Sequence, residues 1–161
     1  MTPQAIGAGV VGTAVVGGGG ALAAYAAGAF GVKYENFLDY AKKNDYSYLI
    51  GDAEEKLKQK ITNSPDVSKE GYKKILKDNL SLIDGSEDAL VESDITDAGD
   101  STKDSNKSKL NKVVGKVKAW CEVKKLESPR KDNEINWSEV EGNTDWQNFR
   151  SLCLESLTNN S

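Results

Sequence analysis

Histidine is absent from this sequence of 161 residues. Without an imidazole, the chain alone cannot build a Ser-His-Asp or Cys-His nucleophile system or an imidazole metal site. Only two cysteines are present, and they are not in a C-x-x-C spacing, which argues against a zinc site and against a thioredoxin-like redox centre. These absences favour contact over catalysis. We therefore predict a protein that is not an enzyme, with no catalytic, cofactor-binding or metal-binding residues.

Charged residues are missing from the first 32 positions, and the first of them is Lys33. Residues 5–32 form an uncharged run of 28 residues, mostly Ala, Val and Gly, which as a helix would be about 42 Å long. That length exceeds the roughly 30 Å of a bilayer's hydrocarbon core. Nine glycines weaken a helix in water, but in lipid an unpaired backbone costs more than the glycines do. We predict that residues 1–32 are a transmembrane anchor whose residues 5–32 contact the lipid bilayer.

Two further interpretations of this segment stay open. Small residues around Ala24 to Ala29 resemble a signal-peptide cleavage site, so a cleaved and secreted effector is the alternative, although the basic n-region is missing and the run is long for an h-region. In addition, Gly20, Ala24 and Gly28 fall at spacing four. This spacing is typical of a helix face that allows close self-association in a membrane.

The Gly7–Gly12 loop is a literal G-x-G-x-x-G string, the motif that holds a dinucleotide pyrophosphate at a helix N-terminus. Its context is wrong for that chemistry. Only six residues precede Gly7, Pro3 is among them, and four consecutive glycines would lie in the following helix. Nucleotide binding through this loop is a weaker alternative function.

The charged remainder predicts a mainly α fold, in which a single transmembrane helix is followed by a small helical domain. Leu, Ile, Val and Phe make up only 27 of the 129 residues from Lys33 onward, so the core should be thin. Residues 33–83 are predicted to be a helical segment. Its helices are expected around Phe37 and Ala41, from Asp52 to about Thr62 with a capping box to Glu55, and from Tyr72 to Ile83.

Residues 84–109 are predicted to be a flexible acidic and polar linker or loop. Their apolar side chains are few, and such a segment cannot bury enough surface to offset its ordering entropy.

Residues 110–161 are predicted to be a helical hairpin-like segment joined by a disulfide. Leu110, Val113, Val114, Val117, Trp120 and Cys121 follow helical spacing, which Leu126 extends, and Thr144–Gln147 resembles a capping box for a last helix bearing Trp146, Phe149, Leu152, Cys153 and Leu157. Each helix places one cysteine on its apolar face. We predict a bridge between Cys121 and Cys153 over two buried free thiols.

Other patterns indicate no site. Paired carboxylates such as Glu54 with Glu55, Glu87 with Asp88 and Asp94 with Asp97 are expected on solvated faces, because none lies in an apolar setting that would separate two pKa values. The lysines are dispersed among acids and the net charge is −4, which argues against nucleic acid as a partner. The three tryptophans are expected in the core.

Membrane orientation has two opposing indications. Lys33, Lys42 and Lys43 follow the apolar run and no basic residue precedes it, which by the positive-inside rule favours a cytoplasmic domain. The cysteine pair favours an oxidising compartment, and long hydrophilic domains are translocated largely regardless of charge. We predict a single-pass protein of the cell membrane with its C-terminal domain outside.

Taken together, the chain resembles the large paralogous families of uncharacterised proteins in haemotropic mycoplasmas. The likeness rests on the Gly/Ala/Val segment after Met1-Thr-Pro-Gln-Ala, the aromatic and lysine segment Tyr34 to Lys43, the lysine-rich middle, and the late Trp120-Cys121 and Cys153. It implies a membrane-anchored, surface-exposed product of a multiplied gene family. We expect contact with an unidentified host or neighbouring protein, and the resemblance implies no catalytic residue.

Overall fold

The computed structural model describes residues 34–51, 54–84, 88–100, 102 and 104–157, and this part of the chain is mainly helical with two small sheets. The helical class predicted for the domain is confirmed. The predicted membrane helix, the Gly20-Ala24-Gly28 spacing and the Gly7–Gly12 loop lie outside the described residues. In chain order the elements are α1 (Phe37–Lys43), β1 (Tyr46–Tyr48), α2 (Glu55–Thr62), α3 (Tyr72–Asp78), α4 (Leu80–Ile83), α5 (Glu92–Asp97), α6 (Asp104–Lys124), β2 (Arg130–Lys131), β3 (Glu134–Ile135), a 3-10 helix (Trp137–Gly142), α7 (Thr144–Cys153) and β4 (Leu154–Ser156).

Helix α1 forms because Asn36 caps it, and its side-chain oxygen accepts the amide of Asp39 at 2.9 Å. Phe37, Tyr40 and Ala41 are buried on one face. The helix predicted around Phe37 and Ala41 is therefore confirmed, with Tyr40 as an additional core residue.

The next predicted helices exist with different boundaries. Helix α2 begins at Glu55 after Glu54, which has a left-handed φ of 51° and provides no side-chain cap, while the predicted cap, Asp52, lies outside the described residues. The continuous helix expected from Tyr72 to Ile83 divides into α3 and α4 at Asn79. The Asn79 side chain donates to the carbonyl of Ile75 at 2.9 Å, a local bond of the kind that competes with the helical pattern.

The structure corrects the prediction of a flexible linker at 84–109. Helix α5 lies within this segment, Ile95 and Ala98 are fully buried, and α6 begins at Asp104 instead of Leu110. Few apolar residues suffice because Asp94, itself 8% exposed, accepts a hydrogen bond from Lys112 of α6 at 3.0 Å. Ion pairs to α6 thus complement the small apolar contact.

Helices α6 and α7 are joined by the disulfide predicted between Cys121 and Cys153. The two Cα atoms are 5.8 Å apart, the sequence separation is 32, and both residues are fully buried. The same buried core contains Val113, Val114 and Val117 of α6 and Phe149 and Leu152 of α7, all fully or almost fully buried. The connection between α6 and α7 contains the β2–β3 hairpin and the 3-10 helix.

Both long helices end earlier than predicted, and their expected last apolar residues are exposed. After Lys124 the amides of Leu126 and Glu127 donate three residues back, which closes α6 with tight turns and leaves Leu126 66% exposed. Leu154 is extended, with φ −121° and ψ 159°, so α7 gives way to β4 and Leu157 is 62% exposed. Helix α7 is capped by Asn143, which accepts the amide of Trp146, and not by Thr144.

The sheets are short and antiparallel. Strand β1 pairs with β4, with Tyr46 opposite Ser156 and Tyr48 opposite Leu154, and so joins the two ends of the described domain. Strands β2 and β3 form a hairpin whose two turn residues, Asp132 and Asn133, have φ of 52° and 69°, as a type I′ turn requires.

Candidate functional site

The most concentrated group of interacting side chains is an aromatic cluster between α1, the 3-10 helix and α7. Trp146 is fully buried, and its ring centroid lies 4.8 Å from that of Tyr40 and 5.6 Å from that of Phe37. Trp137 stacks on Tyr40 at 5.5 Å and is only partly buried. The aromatic cluster comprises Tyr34, Phe37, Tyr40, Tyr46, Tyr48, Trp137, Trp146 and Phe149.

Glu141 is the polar centre of this cluster. Its Oε1 accepts hydrogen bonds from Tyr40 Oη at 3.1 Å and from Trp146 Nε1 at 3.2 Å. Its Oε2 accepts from Arg150 Nη1 at 2.9 Å. One carboxylate thus satisfies two core donors and pairs with a cation. Burial, followed by the nearby Glu141 charge, raises the pKa of Tyr40, which keeps its hydroxyl a donor.

A second tyrosine, Tyr48, is partly buried and has a similar arrangement. Tyr48 Oη donates to Glu122 at 2.9 Å, and burial together with this hydrogen bond raises the pKa of Tyr48. The hydrogen bond from Lys125 holds the pKa of Glu122 below its ordinary value. A neutral phenol bonded to an ionised carboxylate is a stable pair, and we assign it a structural role.

Two surface clefts flank the aromatic cluster. One, of about 520 Å³, lies between the β2–β3 hairpin and the start of α7, and its lining includes Arg130, Asn136, Ser138 and Glu139. The other, of about 740 Å³, lies beside β4 and is lined by Lys60, Ile75 and Leu157 among others. In the second cleft Lys60 and Glu155 pair with each other at 3.0 Å. Both clefts have mixed polar and apolar walls.

Four of the carboxylates considered as acid and base pairs, Glu54, Asp88, Asp94 and Asp97, form ion pairs with lysines of α6. Glu54 contacts Lys118 at 2.6 Å, Asp94 contacts Lys112, and Asp97 contacts Lys109. Asp94 is buried, which the sequence did not indicate, whereas Glu87 is outside the described residues. Among the residues that the structure describes, no group of three or more His, Cys, Asp or Glu side chains could hold a metal ion.

The three tryptophans predicted in the core differ in their degree of burial. Trp146 is fully buried, whereas Trp120 and Trp137 are partly buried at its edge. Sequence reasoning missed Glu141 altogether. The sequence feature that could have indicated Glu141 is its position between Trp137 and Trp146. Only the fold shows that the Tyr40 hydroxyl reaches the same carboxylate.

Six large apolar side chains of the described residues are exposed: Leu82, Val91, Val123, Leu126, Ile135 and Leu157. Val123 lies in the last turn of α6, Leu126 follows two residues after the helix ends, and Ile135 is on the β2–β3 hairpin. Within the described ranges, no helix has the length and apolar character needed to cross a bilayer.

Comparisons of the chain with protein-family models, with curated proteins and with solved structures found no match.

Proposed function

We propose that this protein is a single-pass membrane protein that presents a small, disulfide-bridged helical domain and acts by contact with a host or neighbouring molecule. The observation that carries the proposal is the direct junction of two unlike parts. An uncharged run of 28 residues ends at Val32, and the folded domain has begun by Tyr34, which is only 7% exposed.

The disulfide supports an extracytoplasmic domain. Structural bridges form and persist in oxidising compartments and are rare in the cytosol. Cys121 and Cys153 are both fully buried in the core, so the bridge is part of the fold and not a surface accessory. This observation favours the outward orientation over the weak lysine bias near the anchor.

The ion pairs that charged side chains form around the two clefts support contact as the mode of action. Several charged side chains in and around the clefts are already paired: Lys60 with Glu155, Lys131 with Glu139, and Arg150 with Glu141. Pairs of this kind hold the side chains of the cleft walls in place, so that a partner would meet a surface of defined shape.

Membrane flotation tests the anchor. The full chain is expected to float with membranes and to resist alkaline carbonate, and a matched variant lacking residues 1–32 is expected to stay in the aqueous fraction. A full-length chain recovered without detergent would contradict the proposal. N-terminal sequencing of the mature protein separates the alternative of a secreted effector, because cleavage would give a new start near Ala29.

Protease treatment of intact cells tests the orientation. Cleavage of the domain while an internal marker protein stays whole is expected, and protection until the cells are permeabilised would place the domain inside. Non-reducing mass spectrometry of the same samples should find the peptide that links Cys121 to Cys153. Two alkylatable thiols would contradict the oxidising compartment.

A further inference from the structure

The distance between the uncharged run and the folded domain is very short. Only Lys33 separates Val32 from Tyr34, and two residue steps span about 7 Å even when fully extended. Tyr34 is fixed in the domain, because its ring lies 4.8 Å from that of Tyr40 and 5.1 Å from that of Trp137. If residues 5–32 cross a bilayer, no flexible spacer holds the domain away from the lipid.

Backbone hydrogen bonds show which segment lies beside the first residues of the domain. The amide of Phe37 donates to the carbonyl of Glu127 at 2.8 Å, and that of Leu38 donates to Lys125 at 3.1 Å. Ser128 Oγ donates to the carbonyl of Glu35 at 3.2 Å. The segment that leaves α6 therefore lies directly against the start of α1.

Exposed apolar side chains are concentrated on this segment and the hairpin that follows it. Leu126 is 66% exposed and lies between the two residues whose carbonyls accept from α1. Val123 precedes it by one turn at 64% exposure, and Ile135 is 56% exposed two residues before Trp137, which contacts Tyr34. We name Val123, Leu126 and Ile135 the proximal face. Three of the six exposed large apolar side chains in the described ranges thus belong to segments that contact the first residues of the domain.

The lysines around the proximal face have acidic partners. Lys124 pairs with Glu127 and Asp145, Lys125 with Glu122, and Lys131 with Glu139. Polybasic segments bind anionic lipids through unneutralised charge. Lys124, Lys125 and Lys131 are neutralised by these pairs, so we take apolar contact as the main attraction that this face offers to a membrane.

We propose that the proximal face rests on the bilayer, with Leu126 and Ile135 inserted at the boundary between headgroups and acyl chains. This inference rests on the proposed function, since it requires residues 5–32 to anchor the chain. Burial of exposed apolar surface in this boundary is what holds interfacial segments on membranes. The domain then has a fixed orientation, with the first turns of α6 directed away from the lipid.

The test uses the full chain in phosphatidylcholine vesicles, with single cysteines carrying an environment-sensitive fluorophore. The variants are Leu126→Cys and Ile135→Cys, and the native cysteines remain bridged because no reductant is added. The matched control is Val91→Cys. Val91 is 51% exposed and precedes α5, which is bonded to Lys112. Lys112 is 12 residues, or about 18 Å of helix, before Lys124 at the proximal end of α6.

The expected result is a blue-shifted emission at positions 126 and 135 and at least twofold stronger quenching there than at position 91 by lipids with a spin label near the headgroup. Vesicles with added anionic lipid are expected to give the same pattern. Equal emission and quenching at all three positions, in protein that floats with the vesicles, would overturn the inference and leave the anchor intact. Protein that does not float would overturn the proposed function and the inference with it.

Discussion

Glu141 accepts hydrogen bonds from two polar groups of the aromatic cluster, the Tyr40 hydroxyl and the Trp146 indole N–H. Tyr40 and Trp146 are both fully buried, and each donates to the same carboxylate oxygen. Truncation of Glu141 leaves both donors without this partner and Arg150 without its counter-ion. A buried donor that loses its acceptor costs more than the hydrogen bond contributed, because its desolvation is no longer offset.

We therefore predict that Glu141→Ala lowers the free energy of unfolding by about 2–3 kcal/mol. Glu139→Ala is the matched control, because Glu139 is two residues away and pairs with Lys131, but both side chains are more than half exposed. Its effect is expected to be below about 1 kcal/mol. Chemical unfolding of the full chain in detergent, followed by tryptophan fluorescence, measures both. Equal effects of the two substitutions would contradict the role of Glu141.

The structure has no room for a side chain at Gly99 but leaves open space at Gly115, so alanine substitutions at the two positions should have opposite effects on stability. Gly99 has a φ of +80°, and a Cβ there would lie 2.6 Å from Thr62 Oγ1 and 2.8 Å from Thr62 Cα. Gly115 is inside α6, and a Cβ there would meet nothing within 4 Å. We expect Gly99→Ala to destabilise by more than about 1 kcal/mol and Gly115→Ala to stabilise by up to about 1 kcal/mol. Thermal unfolding of the two variants beside the parent is the measurement, and shifts of the same sign would be inconsistent with this account.

At the scale of elements, one side chain, that of Asn143, caps the N-terminus of α7. Asn143 Oδ1 accepts the amide of Trp146 at 3.0 Å, whereas Thr144, the cap predicted from sequence, is the first helical residue and exposed. We predict that Asn143→Ala costs about 1 kcal/mol and that Thr144→Ala costs little. Urea unfolding midpoints compare the two. A larger loss at Thr144 would favour the capping box.

The disulfide supports the packing of α6 on α7. It closes a loop with a sequence separation of 32, for which the chain-entropy model gives about 3–4 kcal/mol. Replacing Cys121 and Cys153 together with alanine is expected to lower the unfolding free energy by that amount. Parent protein unfolded in the presence of reductant serves as the control and should approach the double variant. A double variant as stable as the oxidised parent would show that the core needs no bridge.

The elements predicted correctly were those with sustained helical spacing. Val113, Val114 and Val117 marked α6, and Phe149 and Leu152 marked α7, because repeated apolar contact along one face produces a periodic sequence. Even there the ends were wrong. Nothing local to Leu126 or Leu157 indicates that tight turns or strand pairing take over, since the competing contacts come from distant residues.

The β1–β4 sheet and the fold of residues 84–109 could not be predicted from local sequence patterns. Strand β1 is three residues long and pairs with β4 across most of the domain, a contact that no local pattern specifies. Leu90, Ile95 and Ala98 are buried although most of the residues around them in the sequence are polar. The Glu141 site depends on α1, the 3-10 helix and α7 together. Its geometry is therefore a product of the fold, and only its residue types were visible beforehand.

At the scale of the whole molecule, the absence of histidine predicts a broad pH plateau. The hydrogen bonds from Lys118 to Glu54 and from Lys125 to Glu122 hold both carboxyl pKa values below the ordinary 4.5. Their stabilisation is fully present above about pH 4.5 and is lost as the pH falls through the folded pKa. Burial raises the pKa of Tyr40, Tyr48 and Tyr72 above the ordinary 10.0, so their contribution is present below that pH and is lost as the pH rises.

Unfolding midpoints are thus expected to stay constant between about pH 6 and pH 9 and to fall on both sides. Urea titrations of the full chain at about pH 3, 7 and 11 measure this. Tyr48→Phe is a useful comparison, because it removes one phenol and should make the alkaline decline shallower. A transition near pH 6.5, where histidine usually titrates, would be inconsistent with this assignment of the titrating groups.

The contacts of α1 with α7 and of β1 with β4 also determine when the domain can fold during synthesis. Phe37 and Tyr40 are made more than 100 residues before the Phe149 ring that covers Phe37, and β1 precedes its partner β4 by a similar length. At roughly 5–20 residues per second, the α1 aromatic face waits on the order of 5 to 20 seconds before the chain that covers it exists. During that interval Phe37 and Tyr40 lack the α7 rings that cover them in the folded domain. The aromatic face of α1 therefore reaches its folded environment only after α7 has been synthesised.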